Sequence, residues 1–348
     1  MSIESEVLPP AVSFGREVCG DLAVAEQREW LVTNGLGGYA SGTVAGMLTR
    51  CYHGLLIANL PPPQGRTLLL TKLDETATYD GQSYPLFSNR WSEEEVVPDG
   101  YHYLEGFRLE GTTPVWSYAF RDALLEKRVW MEPGANTTYV RYDFSRGMAP
   151  LAMSLKAIVN HRDHHDRTRA GRWQPEIEPV SGGLRIGGDL YLLSAEAAVR
   201  PASEWYKGYW LSQEDYRGLE ALDDNLHAGR FDAVMSPGDS LTLVASIGQE
   251  LDMDGHAAYA RRQAHEARLL AQSSLEKESW RVRHLVLAAD QFIMRRAVGD
   301  DPDGRSIIAG YHWFADWGRD TMIALSGLAL VTGRPEVAAA ILRTYAAY

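Results

Sequence analysis

The sequence predicts an all-β domain followed by an all-α one, and three observations carry that reading. Apolar residues alternate with polar ones from about residue 25 to 250, turn signals punctuate those runs, and beyond residue 250 the apolar spacing becomes helical. The resulting boundaries are residues 1–252 for a β-sandwich, 253–278 for a linker helix and 279–348 for the start of a helical domain.

The strand pattern is clearest where Val140, Tyr142 and Phe144 alternate with polar neighbours. Leu151, Met153, Leu155, Ala157 and Val159 repeat that period, as do Leu241, Leu243, Ala245 and Ile247. Period two with one buried face is the antiparallel-sheet signature. Asp80-Gly81, Pro133-Gly134, Ser181-Gly182-Gly183, Gly187-Gly188 and Pro237-Gly238 mark turns between strands. Many short strands with regular turns point to a sandwich.

In the second part, His256 to Leu275 is rich in Ala, Arg, Glu and Gln and reads as a helix. Val282, Leu285, Val286, Ala289, Phe292 and Ile293 follow helical spacing, so a second amphipathic helix is expected over Trp280–Arg296. Asp301-Pro302-Asp303-Gly304 is a loop. Thr321 to Val331 is apolar nearly all round, as for a helix enclosed by others; Gly333 stops it, and Pro335 opens a helix that is still running at Tyr348. With no capping glycine there, the sequence is expected to be cut short inside its second domain.

Composition narrows the function. The 348 residues are 45% hydrophobic and 23% charged, an ordinary globular mix. A net charge of −12 argues against nucleic acid or an anionic membrane as partner and suits a neutral or cationic ligand. Cys19 and Cys51 provide neither a disulfide framework nor a cysteine zinc site, so a reducing, cytoplasmic setting is expected. Met1 to Pro10 lacks the basic and apolar regions of a signal peptide, and Thr321 to Val331 is too short to span a bilayer.

Three segments could carry chemistry. Ile308 to Thr321 places Tyr311, Trp313, Phe314 and Trp317 among Asp316, Arg319 and Asp320. Aromatic faces stack on sugar rings, and paired Asp and Arg side chains bind vicinal hydroxyls. The plainer reading has Asp320 as a helix N-cap beside a salt bridge, with buried aromatics. Glu29 to Gly46 is glycine-rich but lacks Walker spacing and the lysine, and no βαβ unit follows, so Asn34-Gly35 and Gly37-Gly38 read as tight turns. His53 follows at a strand end, where a structural role is favoured. Asn160 to Asp166 carries three histidines, but His164 and His165, adjacent on a strand, should face opposite ways, so no metal is expected. Neither a G-x-S-x-G elbow nor an H-E-x-x-H helix occurs.

Glu29-Trp-Leu-Val-Thr-Asn-Gly-Leu-Gly-Gly-Tyr-Ala-Ser-Gly42 with Arg50-Cys-Tyr-His-Gly-Leu-Leu-Ile57 resembles the opening of the bacterial and archaeal glycogen debranching enzymes, the amylo-α-1,6-glucosidases. Trp313-Phe-Ala-Asp-Trp-Gly-Arg-Asp-Thr-Met-Ile-Ala-Leu325 looks like the signature near the start of that family's catalytic domain. The resemblance implies an N-terminal antiparallel β-sandwich followed by the first helices of an (α/α)6 barrel, and hydrolysis of α-1,6-linked glucose at branch points of glycogen. It implies an α-glucan partner, no cofactor and no metal. Tyr311, Trp313, Asp316, Trp317, Arg319 and Asp320 would then bind substrate, with Arg319 and Asp320 anchoring the terminal glucose. The acid and base that such hydrolysis needs are expected beyond residue 348, leaving this portion inactive. The alternatives are a non-catalytic glucan-binding module and a related glucoamylase-like α-glucosidase.

Overall fold

The computed structural model describes residues 10–248, 252–299 and 301–347. Residues 1–9, 249–251, 300 and 348 therefore lie outside the described residues. Two compact units divide the chain: one gathers residues 14–107 and 114–262, the other residues 1–13, 108–113 and 263–348.

The first unit is built on two antiparallel sheets. A nine-stranded sheet runs in the order Ser13–Phe14, Leu104–Glu110, Thr113–Phe120, Ala123–Met131, Thr137–Arg146, Ser240–Ser246, Leu190–Leu193, Gly183–Ile186, Ile177–Val180. An eight-stranded sheet runs Ala198–Trp210, Leu222–Met235, Leu151–Asp163, Gly65–Tyr79, Gly54–Leu60, Tyr39–Thr43, Glu29–Thr33, with Gln82–Pro85 paired to Gly65–Tyr79. The sheets meet through aromatic side chains. Trp30 from the second sheet stands edge-on to Trp116 of the first, centroids 5.3 Å apart, and Phe107 meets Trp116 at 5.2 Å. Each indole N–H is satisfied by a nearby carbonyl, Trp30 by Thr43 and Trp116 by Val44. A charged link crosses the same interface: Lys127 pairs with Glu75, whose Oε1 also accepts from the Tyr142 hydroxyl at 2.9 Å.

The period-two runs are strands. Leu151, Met153, Leu155 and Ala157 are buried while Ala152, Ser154 and Lys156 are partly exposed. The strand Ser240–Ser246 departs from one-sided burial. Leu241, Leu243 and Ala245 are buried, and so are Thr242 and Val244 on the opposite face. Val244 packs with Trp130, Tyr139 and Ala258, the last from the helix Gly255–Ser273, so that helix covers the face the alternation leaves polar.

The second unit holds the helices Trp280–Gln291, Gly318–Leu325 and Pro335–Ala346, with a π-helical turn at Ser326–Leu330. Their core is Ile293, Ile307 and Ile341, packed with Phe292, Leu325, Leu328 and Val337. Several expectations are corrected here. The helix expected over Trp280–Arg296 ends at Gln291, because Ile293–Arg295 pairs with Arg305–Ile307 as a short hairpin. The β-branched Ile293 and Ile307 take the strand, closed by the Asp301–Gly304 loop. The Thr321–Val331 helix starts earlier, at Gly318, and is not enclosed: Ile323 is 74% and Val331 67% exposed. The last helix is described over Pro335–Ala346 with Ala347 at its C-cap, and the expectation that it is still running at Tyr348 falls outside the described residues. Gly333, at φ +74°, does end the preceding segment; a Cβ there would stand 2.3 Å from the carbonyl oxygen of Gln272.

Among the described residues no helix is long and apolar enough to cross a membrane. Cys19 and Cys51 are free and buried.

Candidate functional site

The aromatic and charged segment forms the connection between the short hairpin and the helix Gly318–Leu325. Ile308 and Asp316 bridge its two ends as an isolated antiparallel pair, and Phe314 N–H donates to the Gly310 carbonyl at 2.9 Å. Tyr311 is buried beside Phe292, their rings 6.3 Å apart. His312 then takes φ +77°, a left-handed conformation uncommon for a residue with a side chain, and the chain emerges with Trp313 exposed. Trp313, Phe314 and Trp317 are 38%, 48% and 52% exposed, against the plainer reading of buried aromatics. Phe314 and Trp317 meet edge to face at 5.9 Å.

The charged residues divide. Asp316 turns inward, where it is ion-paired with Arg296, accepts from the Ser306 hydroxyl at 2.7 Å and lies 3.4 Å from the Tyr345 hydroxyl. Arg319 projects outward with 81% of its side chain exposed, its Nε 3.7 Å from Asp320 Oδ2. A pair that exposed contributes little to stability. Asp320 is not the N-cap: Trp317 holds that position without a side-chain bond, and Asp320 lies within the first turn, where its charge complements the helix dipole. Its Oδ2 is screened from solvent and has no hydrogen-bond partner among the described residues. A cavity of about 360 Å³ in this unit is lined by Leu270, Trp280, His284 and Leu287, and by none of these residues.

Arg296, Ser306 and Tyr345, which hold Asp316, were not legible as its partners. The same is true of Asp290, which His265 contacts at 3.0 Å and Arg334 pairs with from the start of the last helix. Burial pushes the Asp290 carboxyl up, but the hydrogen bond from His265 and the charge of Arg334 outweigh it and leave it lowered.

In the other unit, Asn34 organises the glycine-rich segment as a hairpin turn. Its Oδ1 accepts from Leu36 N–H at 2.8 Å and from Gly38 N–H at 3.1 Å, and its Nδ2 donates to Asn136 Oδ1 at 2.9 Å. A Cβ on Gly38 would lie 2.7 Å from both Asn136 Oδ1 and Asn34 Nδ2, so glycine is required for packing rather than for phosphate. His53 is buried, its Nδ1 accepting from Thr49 N–H at 3.2 Å. The histidine segment corrects an expectation. The strand stops at Asp163, so His164 and His165 lie in a turn and do not face apart: their ring centroids are 4.0 Å from each other. Burial and then the neighbouring His165 push the His164 imidazole down to about 4.

Residues 28–242 match the family described as glycogen debranching enzyme N terminal, and residues 287–348 match the amylo-alpha-1,6-glucosidase family, a range that contains the whole aromatic loop. Both belong to the glucan-active, debranching class of proteins. The chain is a member of the glycogen debranching enzyme family. No curated protein matches it. Among solved structures, a protein described as a kojibiose phosphorylase from human microbiome is similar at 8% identity and a TM-score of 0.34, covering 76% of this chain and 39% of that one. A bacterial glucoamylase complexed with acarbose is similar at 10% identity and a TM-score of 0.30, covering 69% of this chain and 34% of that one. The chain therefore spans well under half the length of these structures. Likenesses this distant carry no argument about the site.

Proposed function

We propose that this chain serves the removal of α-1,6-linked glucose at glycogen branch points, and that its aromatic loop holds the terminal sugar. The observation that carries the reading is the outward display of Trp313 and Trp317 beside Arg319 and Asp320, within the region matched to amylo-alpha-1,6-glucosidase. Exposed indoles offer apolar faces to the C–H side of a pyranose. The Arg319 guanidinium donates to vicinal hydroxyls, and the half-exposed carboxylate of Asp320 beside it accepts from one. Asp316 and Tyr311 have the other task of fixing the loop from within.

Hydrolysis of the glycosidic bond takes one carboxyl group to protonate the leaving oxygen and a second to activate water or attack the sugar. Asp316, engaged by Arg296 and Ser306, is a positioning group in this reading rather than the acid or the base. Residues 1–252 are read as the sandwich, 253–278 as the link and 279–348 as the opening of an (α/α)6 barrel, in a cytoplasmic protein that takes α-glucan without a cofactor. Two carboxyl groups suffice for the chemistry.

Titration of the chain with maltooligosaccharides, followed by tryptophan fluorescence, tests the reading. Binding that Trp317→Ala and Arg319→Ala abolish, without glucose release from a branched limit dextrin, supports it. Binding untouched by both substitutions would place the glucan on the sheets instead and make the chain a binding module. A preference for α-1,4 over α-1,6 linkages would favour a glucoamylase-like α-glucosidase.

A further inference from the structure

We infer that the turn Asp163-His164-His165 is a site for a single divalent transition-metal ion, zinc being the ion its donors fit. One ligand atom from each of these residues lies within 4.8 Å of the other two. Proximity alone would be weak evidence. The second observation is His164, which is only 6% exposed yet has neither ring nitrogen hydrogen-bonded to any described residue. Its Nδ1 points to Asp163 Oδ1 at 3.5 Å. A buried imidazole normally finds a partner for at least one nitrogen, and an ion beside Asp163 would supply it.

The surroundings hold this turn in place. Asp163 Oδ1 accepts from His165 N–H at 2.8 Å, and His164 N–H donates to the Arg66 carbonyl at 3.1 Å. Arg162 donates to the Cys51 carbonyl and to Asp223, both at 2.9 Å, locking the strand end from below. The Tyr52 hydroxyl lies 3.2 Å from His165 Nδ1 and orients that ring, as outer partners orient the histidines of metal sites.

Two imidazoles and a carboxylate suit zinc, which takes three protein ligands and leaves a fourth position to solvent. Zinc–ligand bonds of about 2.0–2.1 Å would bring the donors to roughly 3.3 Å from one another, closer than the 4.8 Å within which they lie here, and binding would have to draw in the exposed Asp163 and His165 side chains. The guanidiniums of Arg66 and Arg162 add positive charge nearby, so the affinity should fall below that of closed structural zinc sites.

The test is titration of the purified chain with zinc chloride by calorimetry, and with cobalt followed by visible absorption. The expected result is one-to-one binding that weakens roughly tenfold or more in both His165→Ala and Asp163→Asn. Both positions are exposed, and the asparagine retains the oxygen that accepts from His165 N–H, so the fold survives in each, as an unchanged unfolding midpoint without metal would verify. Absence of saturable binding overturns the inference, as does binding that both variants retain in full.

Discussion

The carboxylate of Asp316 is held by the guanidinium of Arg296, twenty residues earlier, and this pair fixes the aromatic loop from inside. Asp316 is nearly buried, whereas Trp317, the next residue, is half exposed. One tethered side chain thus sets which way its neighbours face. Ser306 and Tyr345 complete the grip from the short hairpin and from the last helix.

Asp316→Asn should therefore weaken the loop without touching a ligand directly. Removing the charge weakens the link to the Arg296 guanidinium, a loss of about 1.5–3 kcal/mol. Chemical denaturation of the variant would read this as a lower midpoint. Arg296→Ala should behave alike, and the double variant should cost less than the sum, since both remove the same interaction.

Arg319→Ala should leave stability within about 0.5 kcal/mol of the parent, because its side chain is solvent-facing. Trp317→Ala, which removes a half-covered ring packed on Phe314, should cost about 1–2 kcal/mol. Their effect should fall on glucan binding. Thermal unfolding with and without maltooligosaccharide separates the two. A ligand-dependent rise in midpoint is expected for the parent and its loss in either variant.

Trp130 is fully buried and stacks on Tyr139 with centroids 5.2 Å apart and rings nearly parallel. Trp130→Ala should cost about 3–5 kcal/mol by opening a cavity in the first sheet. Its indole N–H has no partner among the described residues, so Trp130→Phe, which keeps an aromatic ring and removes that donor, should cost far less. Equal losses in urea melts of the two variants would contradict this.

Glu29 links pH to stability. Burial pushes its carboxyl up, but the hydrogen bond and charge of His53, then those of Arg50, pull it down from 4.5 to about 2. A carboxyl lowered on folding contributes stability that is complete above pH 4.5 and disappears as the pH falls through about 2. Since Glu29 is partly open to solvent, screening limits this to about 1 kcal/mol. Glu29→Gln should flatten that part of the stability–pH curve; an unchanged acid limb would show that the carboxylate's pairing with His53 and Arg50 contributes nothing.

Much of this fold was legible because its signals are local. Alternation along 140–144 and 151–159 located strands, and the glycine and proline turns located their ends. Ala-rich composition marked the helix now bounded by Gly255 and Ser273. Local signals failed where a distant partner decided the outcome. Helical spacing through Ile293 gave way to a strand because Arg305–Ile307 was there to pair with it. His164 and His165 were misjudged because a strand end, not an alternation, sets their directions.

The same division holds at the site. By itself the sequence determined that tryptophans and paired charges are concentrated between Tyr311 and Asp320, since composition and spacing are properties of a single stretch of chain. Only the tertiary structure decided that Asp316 faces Arg296 while Arg319 faces solvent. A carboxylate leaving water needs a compensating cation and hydroxyl, and these come from the hairpin and the last helix, elements whose proximity no local pattern encodes.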